Sequence, residues 1–176
     1  MINLIIFVLL SIPILLISWK SLTSIKNHGF YRFLSWECIL WLAINNIPYW
    51  FHDPLSLQQV ISWIILILSI YFVVSGAVLL KKAGKPEKTR DEKNLYEFEK
   101  TTQLVKNGIF KYIRHPLYAS LLFLTWGIYL KNTSIDLLLV AFLSSIFLHI
   151  TAKLDEKECV AYFGEEYKQY MSESKM

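Results

Sequence analysis

The sequence predicts an all-α, polytopic membrane protein with about five transmembrane helices. Hydrophobic residues make up 55% of the 176-residue chain and aromatic residues 15%, whereas soluble domains contain about 45 to 50% apolar residues. The apolar residues are concentrated in blocks, and a block of about 20 such residues can cross a bilayer as a helix. The chain length suits a single domain, so composition and block length together indicate a helical bundle embedded in lipid.

Four of the hydrophobic blocks predict membrane spans: Ile2–Trp19, Phe33–Phe51, Leu57–Leu80 and Ile135–Ile150. The first block has no preceding Lys or Arg and no small-residue cleavage pattern after it, so we expect it to stay as an anchor rather than act as a removable signal peptide. A fifth block, Leu117–Leu130, has only 14 residues. We expect it to span the membrane by recruiting flanking residues, or else to form a helical hairpin with the block that follows.

The 18 Lys and Arg residues predict the orientation of the chain. With five spans, three lie in residues 20–32, ten in residues 81–114 and four after residue 150, whereas Lys131 alone lies on the other side. Because positively charged loops are retained in the cytoplasm, we expect the N-terminus outside and the C-terminus in the cytoplasm. Residues 1–80 then hold three spans, and residues 81–176 form the functional region: a cytoplasmic loop or short helix at Lys81–Lys100, two spans or a hairpin, and a C-terminal helix.

Charge and cysteine content exclude several classes of function. The net charge of +4 comes from basic residues interleaved with acidic ones, so we expect no nucleic-acid partner. Cys38 and Cys159 are too far apart in the sequence to suggest a metal knuckle or a redox pair, and His149 has no second His at a ligating spacing, so we expect no metal site. Glu37 lies inside the second block, where an ionisable group is either functional or close enough to the interface to reach water. No feature of the sequence decides the oligomeric state.

The segment Leu104–Tyr118 is the most informative part of the polar half. Asn107-Gly108 predicts a turn, and Pro116 suits the first turn of a helix, so a helix is expected to begin directly after Arg114 and His115. The N–H groups at a helix start favour a carboxylate or a phosphate. The chain has only three Arg against 15 Lys, which indicates that Arg114 is used for its planar, permanently charged fork. The alternative is an Arg that contacts lipid headgroups.

A second cluster follows the last span. Asp155 and Glu156 are adjacent carboxylates that suit a positively charged ligand, or alternatively belong to a solvated helix face. The stretch Phe163-Gly164 predicts a helix end with Gly as its cap.

Together the two segments resemble the isoprenylcysteine carboxyl methyltransferase family and the wider group of membrane methyltransferases that includes phospholipid N-methyltransferases. The resemblance covers roughly residues 95–171. The residues that carry it are Leu104-Val105, Gly108, Phe110, Arg114-His115-Pro116-Leu117-Tyr118, Asp155-Glu156 and Phe163-Gly164-Glu165-Glu166-Tyr167.

The resemblance implies an S-adenosylmethionine-dependent methyltransferase. By this similarity the cofactor is bound by Thr102, Gln103, Leu104, Val105, Phe110, His115, Pro116, Leu117 and Tyr118. Arg114 and Glu156 are the expected catalytic residues, with Thr151 and Asp155 facing the substrate. The chemistry agrees, because acidic or aromatic groups stabilise a sulfonium and a helix N-terminus or Arg binds a carboxylate. Arg114 either orients the acceptor or anchors the cofactor, and Glu156 is the expected proton acceptor for an amine or a thiol.

The identity of the methyl acceptor stays open at this level. A site in the bilayer suits a lipophilic small molecule or a lipid-modified substrate that offers a carboxylate, an amine or a thiol, including a prenylcysteine-like carboxyl group. Relatives that act on prenylated cysteine have an Arg one turn before the acid pair, and Thr151 occupies that position here.

Two other readings compete with the methyltransferase. Steroid 5α-reductase-like membrane reductases share part of the pattern and use NADPH, but their Tyr is followed by Gly-Glu, whereas Ala119-Ser120 follows Tyr118 here. The remaining reading is a non-catalytic membrane protein that retains the fold.

Overall fold

The computed structural model describes residues 1–85 and 99–174, and all regular structure in these two ranges is helical. The predicted all-α class is therefore confirmed. The loop expected at Lys81–Lys100 falls mainly on residues 86–98, which lie outside the described residues. The α-helices are α1 (Ile2–Ser18), α2 (His28–Asn46), α3 (Leu57–Ala83), α4 (Pro116–Tyr129), α5 (Ile135–Phe163) and α6 (Glu165–Glu173).

Within the described ranges, three helical segments are long and apolar enough to cross a membrane: Ile2–Thr23, Leu57–Ala83 and Ile135–Phe163. The helix Pro116–Tyr129 is apolar but shorter, as its 14-residue block predicted. These helices make the chain a polytopic membrane protein. The second predicted span is a helix, α2, but it is not among these apolar segments. Its bounds also differ, since α2 ends at Asn46 and a 3-10 turn, Ile47–Tyr49, follows it. Pro48 explains this end, because proline cannot continue the hydrogen bonding of an α-helix.

The bundle is built from two main helix pairs, in which α3 packs along α4 and α2 packs along α5. Between them lies an apolar core that includes Leu42, Leu66 and Ala141. Small polar side chains bring the helices close together: the Oγ atoms of Ser35 and Ser144 are 2.9 Å apart. In lipid, where helices gain little from hydrophobic burial against each other, such close packing and interhelical hydrogen bonds drive association.

Buried serines also tie α3 to α4. Ser62 donates to the carbonyl of Gly127 at 2.7 Å, and Ser69 donates to the carbonyl of Ser120 at 2.8 Å. These bonds fix the register of the two helices and so fix the start of α4.

Both glycine features expected from the sequence are present. Gly108 has a φ of +58° in the turn before α4, and Gly164 has a φ of +63° between α5 and α6. A residue with a Cβ atom rarely adopts such a φ, so each position favours glycine. The turn at Asn107-Gly108, the helix start at Pro116 and the helix end at Gly164 are confirmed.

The loops separate into two groups at opposite ends of the bundle. At one end, the loop between α4 and α5 contacts the start of α3, where Lys131 donates to Gln59 Oε1 at 3.1 Å and its Nζ lies 3.4 Å from the centre of the Trp63 ring. At the other end, the start of α2 contacts Glu99 and the end of α5. The polar segments that carry the sequence motifs therefore meet at one end of the bundle.

Candidate functional site

A cavity at this polar end brings the two motif segments together. It is lined by the end of α3, the segment 99–118, the last turns of α5 and one face of α6. The lining residues are Leu80, Glu99, Thr101, Leu104, Val105, Phe110, Arg114, His115, Pro116, Leu117, Tyr118, Asp155, Cys159, Phe163, Tyr167 and Tyr170. Its walls thus combine apolar, aromatic, acidic and basic side chains.

The start of the motif segment is fixed by the C-terminus of α3. The carbonyl of Gly84 accepts hydrogen bonds from the N–H of Thr102 at 2.9 Å and of Gln103 at 3.1 Å, and Thr102 Oγ1 donates to the carbonyl of Lys85 at 2.9 Å. These bonds direct Thr102 and Gln103 away from the cavity. The buried neighbour Thr101 lines it instead.

The turn at Gly108 positions Phe110. The 3-10 turn Gly108–Lys111 buries the Phe110 side chain against the cavity, and the carbonyl of Phe110 accepts a 2.5 Å hydrogen bond from the Tyr170 hydroxyl. Burial raises the pKa of Tyr170 to about 12, so this hydroxyl stays protonated and able to donate. The contact holds α6 over the cavity.

His115 lies at the centre of the site, immediately before the first turn of α4. Its Nδ1 is 3.2 Å from Asp155 Oδ2 and its Nε2 is 3.7 Å from Glu156 Oε1. Burial lowers the pKa of His115, but the hydrogen bond to Asp155 and the negative charges of Asp155 and Glu156 outweigh it, so the pKa is raised above its usual value. Nε2 is buried and makes no hydrogen bond within the described part of the chain, while the ring stacks on Tyr118 with centroids 5.4 Å apart.

Arg114 connects the end of α5 to the end of α6. Its Nε and Nη2 each lie 2.8 Å from Glu156 Oε1, and its Nη1 donates to the carbonyls of Met171 and Ser174. Most of its N–H groups are therefore satisfied by the protein, which leaves little of the guanidinium for a ligand. Glu156 contacts Arg114 and His115 from behind the cavity wall and is not itself a lining residue.

The structure brings most of the predicted site residues together. Nine of them line the cavity: Leu104, Val105, Phe110, Arg114, His115, Pro116, Leu117, Tyr118 and Asp155. Thr102, Gln103 and Glu156 are adjacent to it but do not line it. Thr151, expected to face the substrate, is fully buried and its hydroxyl donates to the carbonyl of Phe147, one turn earlier in α5, at 2.8 Å.

Several lining residues were not among the site residues predicted from the sequence, although Phe163 and Tyr167 belong to the motif that carries the family resemblance. Tyr167 and Tyr170 are three positions apart on α6, and this spacing on one helix face was the signal that would have found them. Glu99 gave no such signal, since its partner Arg32 lies 67 positions earlier in the chain.

A second cavity lies between α4 and α5 and is mostly apolar. It is lined by Ile113, His115, Tyr118, Ala119, Leu122, Ser145, Leu148, His149 and Ala152. His115 and Tyr118 line both cavities, so the two spaces meet at these side chains.

Three side chains behind the first cavity are close enough to share a cation. Ligand atoms of His28, Asp155 and Glu158 lie within 4.8 Å of one another. His28 Nδ1 is already 2.8 Å from Glu158 Oε2, so an ion pair accounts for this cluster, and the expected lack of a metal stays a prediction.

Comparison with known proteins gives a family and three curated relatives. The profile of the phospholipid methyltransferase family matches residues 57–166, which is more than half of the chain. The chain is 34% identical over 62 residues to a methanethiol S-methyltransferase of Pseudomonas deceptionensis (35% of this chain, 23% of that protein). It is 37% identical over 65 residues to one of Pseudomonas sp. strain GM41(2012) (37% and 24%), and 29% identical over 62 residues to methanethiol S-methyltransferase 1 of Bradyrhizobium diazoefficiens (35% and 21%).

These matches span less than a quarter of the length of each relative. No solved structure matches the chain significantly. The family profile covers α3, α4, α5 and the segment 99–118, which carry all of the cavity lining except Tyr167 and Tyr170 of α6. The chain therefore belongs to the phospholipid methyltransferase family, a family of membrane methyltransferases.

Proposed function

We propose that this protein is an integral membrane methyltransferase that uses S-adenosylmethionine to methylate a lipophilic acceptor, with a thiol as the preferred class. The observation that carries the proposal is the meeting of two cavities at His115 and Tyr118, one polar and aromatic, the other apolar. A transfer reaction requires that two reactants be held together in one geometry, and two adjoining binding spaces suit this requirement.

The first cavity fits the chemistry of the cofactor. Asp155 and Glu99 offer negative charge to the sulfonium and the amino group, and the unpaired N–H groups at the start of α4 suit the carboxylate. Phe110, Phe163 and Leu104 provide the apolar and aromatic walls that an adenine ring prefers. Bound S-adenosylmethionine would supply a methyl group activated by its sulfonium sulfur.

The protein's own residues would align the acceptor and exclude water. The face of α6 that carries Tyr167 and Tyr170 covers the first cavity, and the Arg114 contacts to its last carbonyls hold it closed. In a displacement reaction, this alignment and exclusion account for most of what an enzyme must do.

His115 favours an anionic acceptor. The carboxylates of Asp155 and Glu156 beside the imidazole raise its pKa and favour its protonated form, and Nε2 makes no hydrogen bond to the described residues. A protonated Nε2 would stabilise a thiolate or a carboxylate and would repel an ammonium group. Glu156, 3.7 Å from Nε2, would hold that charge in place rather than contact the acceptor.

The comparisons support a thiol over a carboxylate. The curated relatives are named for S-methylation of methanethiol, and Thr151 stands where prenylcysteine-specific relatives carry an Arg. The apolar second cavity between α4 and α5 suits a thiol with a hydrocarbon substituent that enters from the bilayer.

The first test is calorimetric titration of the purified, detergent-solubilised protein with S-adenosylmethionine and, separately, with NADPH. We expect binding of the first and not of the second. NADPH binding alone would favour the reductase, and no binding of either at millimolar concentration would favour a non-catalytic protein.

The second test identifies the acceptor. Protein in lipid nanodiscs is incubated with methyl-labelled cofactor and an alkanethiol, a farnesylated cysteine or phosphatidylethanolamine. We expect label in the alkanethiol thioether. Label confined to the phospholipid amine would refute the role given to His115.

A further inference from the structure

The N-terminal half of α2 lies directly behind the first cavity, although the family match begins only at residue 57. His28 and Arg32 are four positions apart on α2 and so share one helix face. Both are buried, with exposed fractions of 0% and 4%. Two buried basic side chains on one face require acidic partners, and both partners belong to the site region.

Arg32 pairs with Glu99. Arg32 Nη1 lies 3.1 Å from both carboxylate oxygens of Glu99, and only 11% of the Glu99 side chain is exposed. Glu99 lines the first cavity. The charge of Arg32 compensates the loss of water around this buried carboxylate.

His28 pairs with the end of α5. Its Nδ1 is 2.8 Å from Glu158 Oε2, and its backbone N–H donates to Glu158 Oε1 at 3.5 Å. Asp155, one turn before Glu158 on the same helix, lies within the same 4.8 Å cluster and lines the first cavity. His28 therefore fixes the part of α5 that presents Asp155.

We propose that His28 and Arg32 are positioning residues for the cofactor: Arg32 acts through Glu99 and His28 acts through Asp155, each by holding a cavity carboxylate in place. This inference rests on the proposed function. It assigns to α2 a part in cofactor binding that the family match, which starts after α2, does not contain.

The two carboxylates matter because the cofactor and its product differ in charge. S-adenosylmethionine carries a positive sulfonium, which S-adenosylhomocysteine lacks. An ionised Glu99 or Asp155 stabilises the first more than the second. Loss of a positioning residue should therefore reduce the preference for the charged cofactor, whereas a general loosening of the fold should weaken both ligands alike.

The experiment is a double-mutant cycle on the full-length protein in detergent, with Kd values for S-adenosylmethionine and S-adenosylhomocysteine from calorimetry. The variants are Arg32→Gln, Glu99→Gln and the double variant, together with Arg32→Lys. Lys168→Gln, which removes an exposed ion pair with Glu165 on α6, is the matched control.

For Arg32→Gln we expect about a tenfold rise in the Kd of S-adenosylmethionine and about a twofold rise for S-adenosylhomocysteine. The double variant should bind no more weakly than Glu99→Gln alone, because Arg32 acts through Glu99. Arg32→Lys keeps the positive charge and should retain more of the preference for S-adenosylmethionine over S-adenosylhomocysteine. This variant replaces Arg32→Gln in the experiment if Arg32→Gln does not fold. Equal losses for the two ligands, or additive effects in the double variant, would overturn the role of Arg32.

The same cycle with His28→Gln and Asp155→Asn tests the second residue. Gln at position 28 keeps a hydrogen-bond donor for Glu158 but carries no charge near Asp155. We therefore expect His28→Gln alone to show a reduced preference for S-adenosylmethionine. Adding His28→Gln to Asp155→Asn should cause no further change. Wild-type protein that binds neither ligand would overturn the proposed function and this inference together. Wild-type binding with unchanged His28→Gln and Arg32→Gln variants would overturn this inference alone.

Discussion

The guanidinium of Arg114 and the carboxylate of Glu156 form a buried ion pair, in which Nε and Nη2 each lie 2.8 Å from Oε1. Only 8% and 5% of the two side chains are exposed. The same guanidinium donates to the carbonyls of Met171 and Ser174. One side chain thus joins the segment before α4, the end of α5 and the end of α6, the three elements that enclose the first cavity.

Removing the acid from this pair should destabilise the protein strongly. Glu156→Ala leaves the Arg114 charge buried without its carboxylate, and breaking such a pair costs about 3 kcal/mol. Glu156→Gln keeps a hydrogen-bond acceptor and should cost less. The measurement is the free energy of unfolding in detergent, with exposed Glu165→Ala as the control. A Glu156→Ala variant as stable as Glu165→Ala would show that the pair does not hold these elements together.

Removing the Tyr170 hydroxyl should loosen α6. Tyr170→Phe leaves the carbonyl of Phe110 without the 2.5 Å bond, at a cost of about 1 kcal/mol. We expect faster proteolytic cleavage near Gly164, where α5 ends, and weaker cofactor binding. Tyr112→Phe, at a side chain that is 68% exposed, is the control and should behave as wild type. Equal cleavage rates in Tyr170→Phe and Tyr112→Phe would contradict the proposal that this hydrogen bond holds α6 over the first cavity.

Local chemistry predicted the frame of this site well. The turn at Gly108, the helix start at Pro116 and the helix end at Gly164 follow from the backbone preferences of glycine and proline, which act within a few residues. For the same reason the hydrophobic blocks predicted where the apolar helices lie. The bounds of the second block were less accurate, because a proline near its end sets the C-terminus of α2 and hydropathy alone does not register this.

The side-chain contacts of the site depend on distant residues and were less predictable. Thr102 and Gln103 are near the cavity in sequence, but hydrogen bonds to Gly84 and Lys85 direct them elsewhere. Arg114 was expected to meet a ligand, and instead it is bound mainly by the protein. Glu99 lines the cavity through Arg32, which comes from another helix. A local sequence pattern does not indicate which distant residue will pair with a buried charge.

Adding a methyl group at Gly108 should displace the turn that presents Phe110. Gly108→Ala combines the left-handed φ of +58° with a Cβ that would lie 2.7 Å from Leu79 Cδ1, for a combined cost of about 2 kcal/mol. Leu79→Ala in the same chain removes the contact but not the backbone strain. We expect the double variant to be less destabilised than the sum of the two single variants. Strict additivity of the unfolding free energies would contradict the contact.

Stability should fall as the pH rises, through the histidines of the site. The folded-state pKa of His115 is raised from 6.5, so its contribution is complete below the unfolded-state value of about 6.5 and is lost as the pH rises through the folded-state value. His28 acts in the same direction. Burial lowers its pKa, but the hydrogen bond to Glu158 and the charge of Asp155 outweigh burial, so the folded-state pKa is raised.

The check is the melting temperature in detergent from pH 5.5 to pH 9. We expect the wild-type value to decline as the pH rises above about 6.5. The His115→Gln variant should decline less, because Gln cannot carry the charge that faces Asp155, Glu156 and Arg114. His28→Gln is the parallel variant. A His115→Gln curve parallel to that of the wild type would show that the imidazole is neutral in the folded protein.

The orientation of the chain can be decided at the loop between α4 and α5. The residue pairs Gln58–Leu130 and Gln59–Lys131 join this loop to the start of α3, at the end of the bundle opposite Arg114. If α5 crosses the membrane, Thr133 and Ser172 lie on opposite sides, and the excess of Lys and Arg predicts that Thr133 is outside.

Labelling intact cells with a membrane-impermeant maleimide tests this topology. In a background of Cys38→Ser and Cys159→Ala, we expect Thr133→Cys to be labelled in intact cells and Ser172→Cys only after permeabilisation. The reverse pattern would invert the predicted orientation. Labelling of both positions from the same side would mean that α5 does not cross the membrane, and the predicted last span would then be wrong.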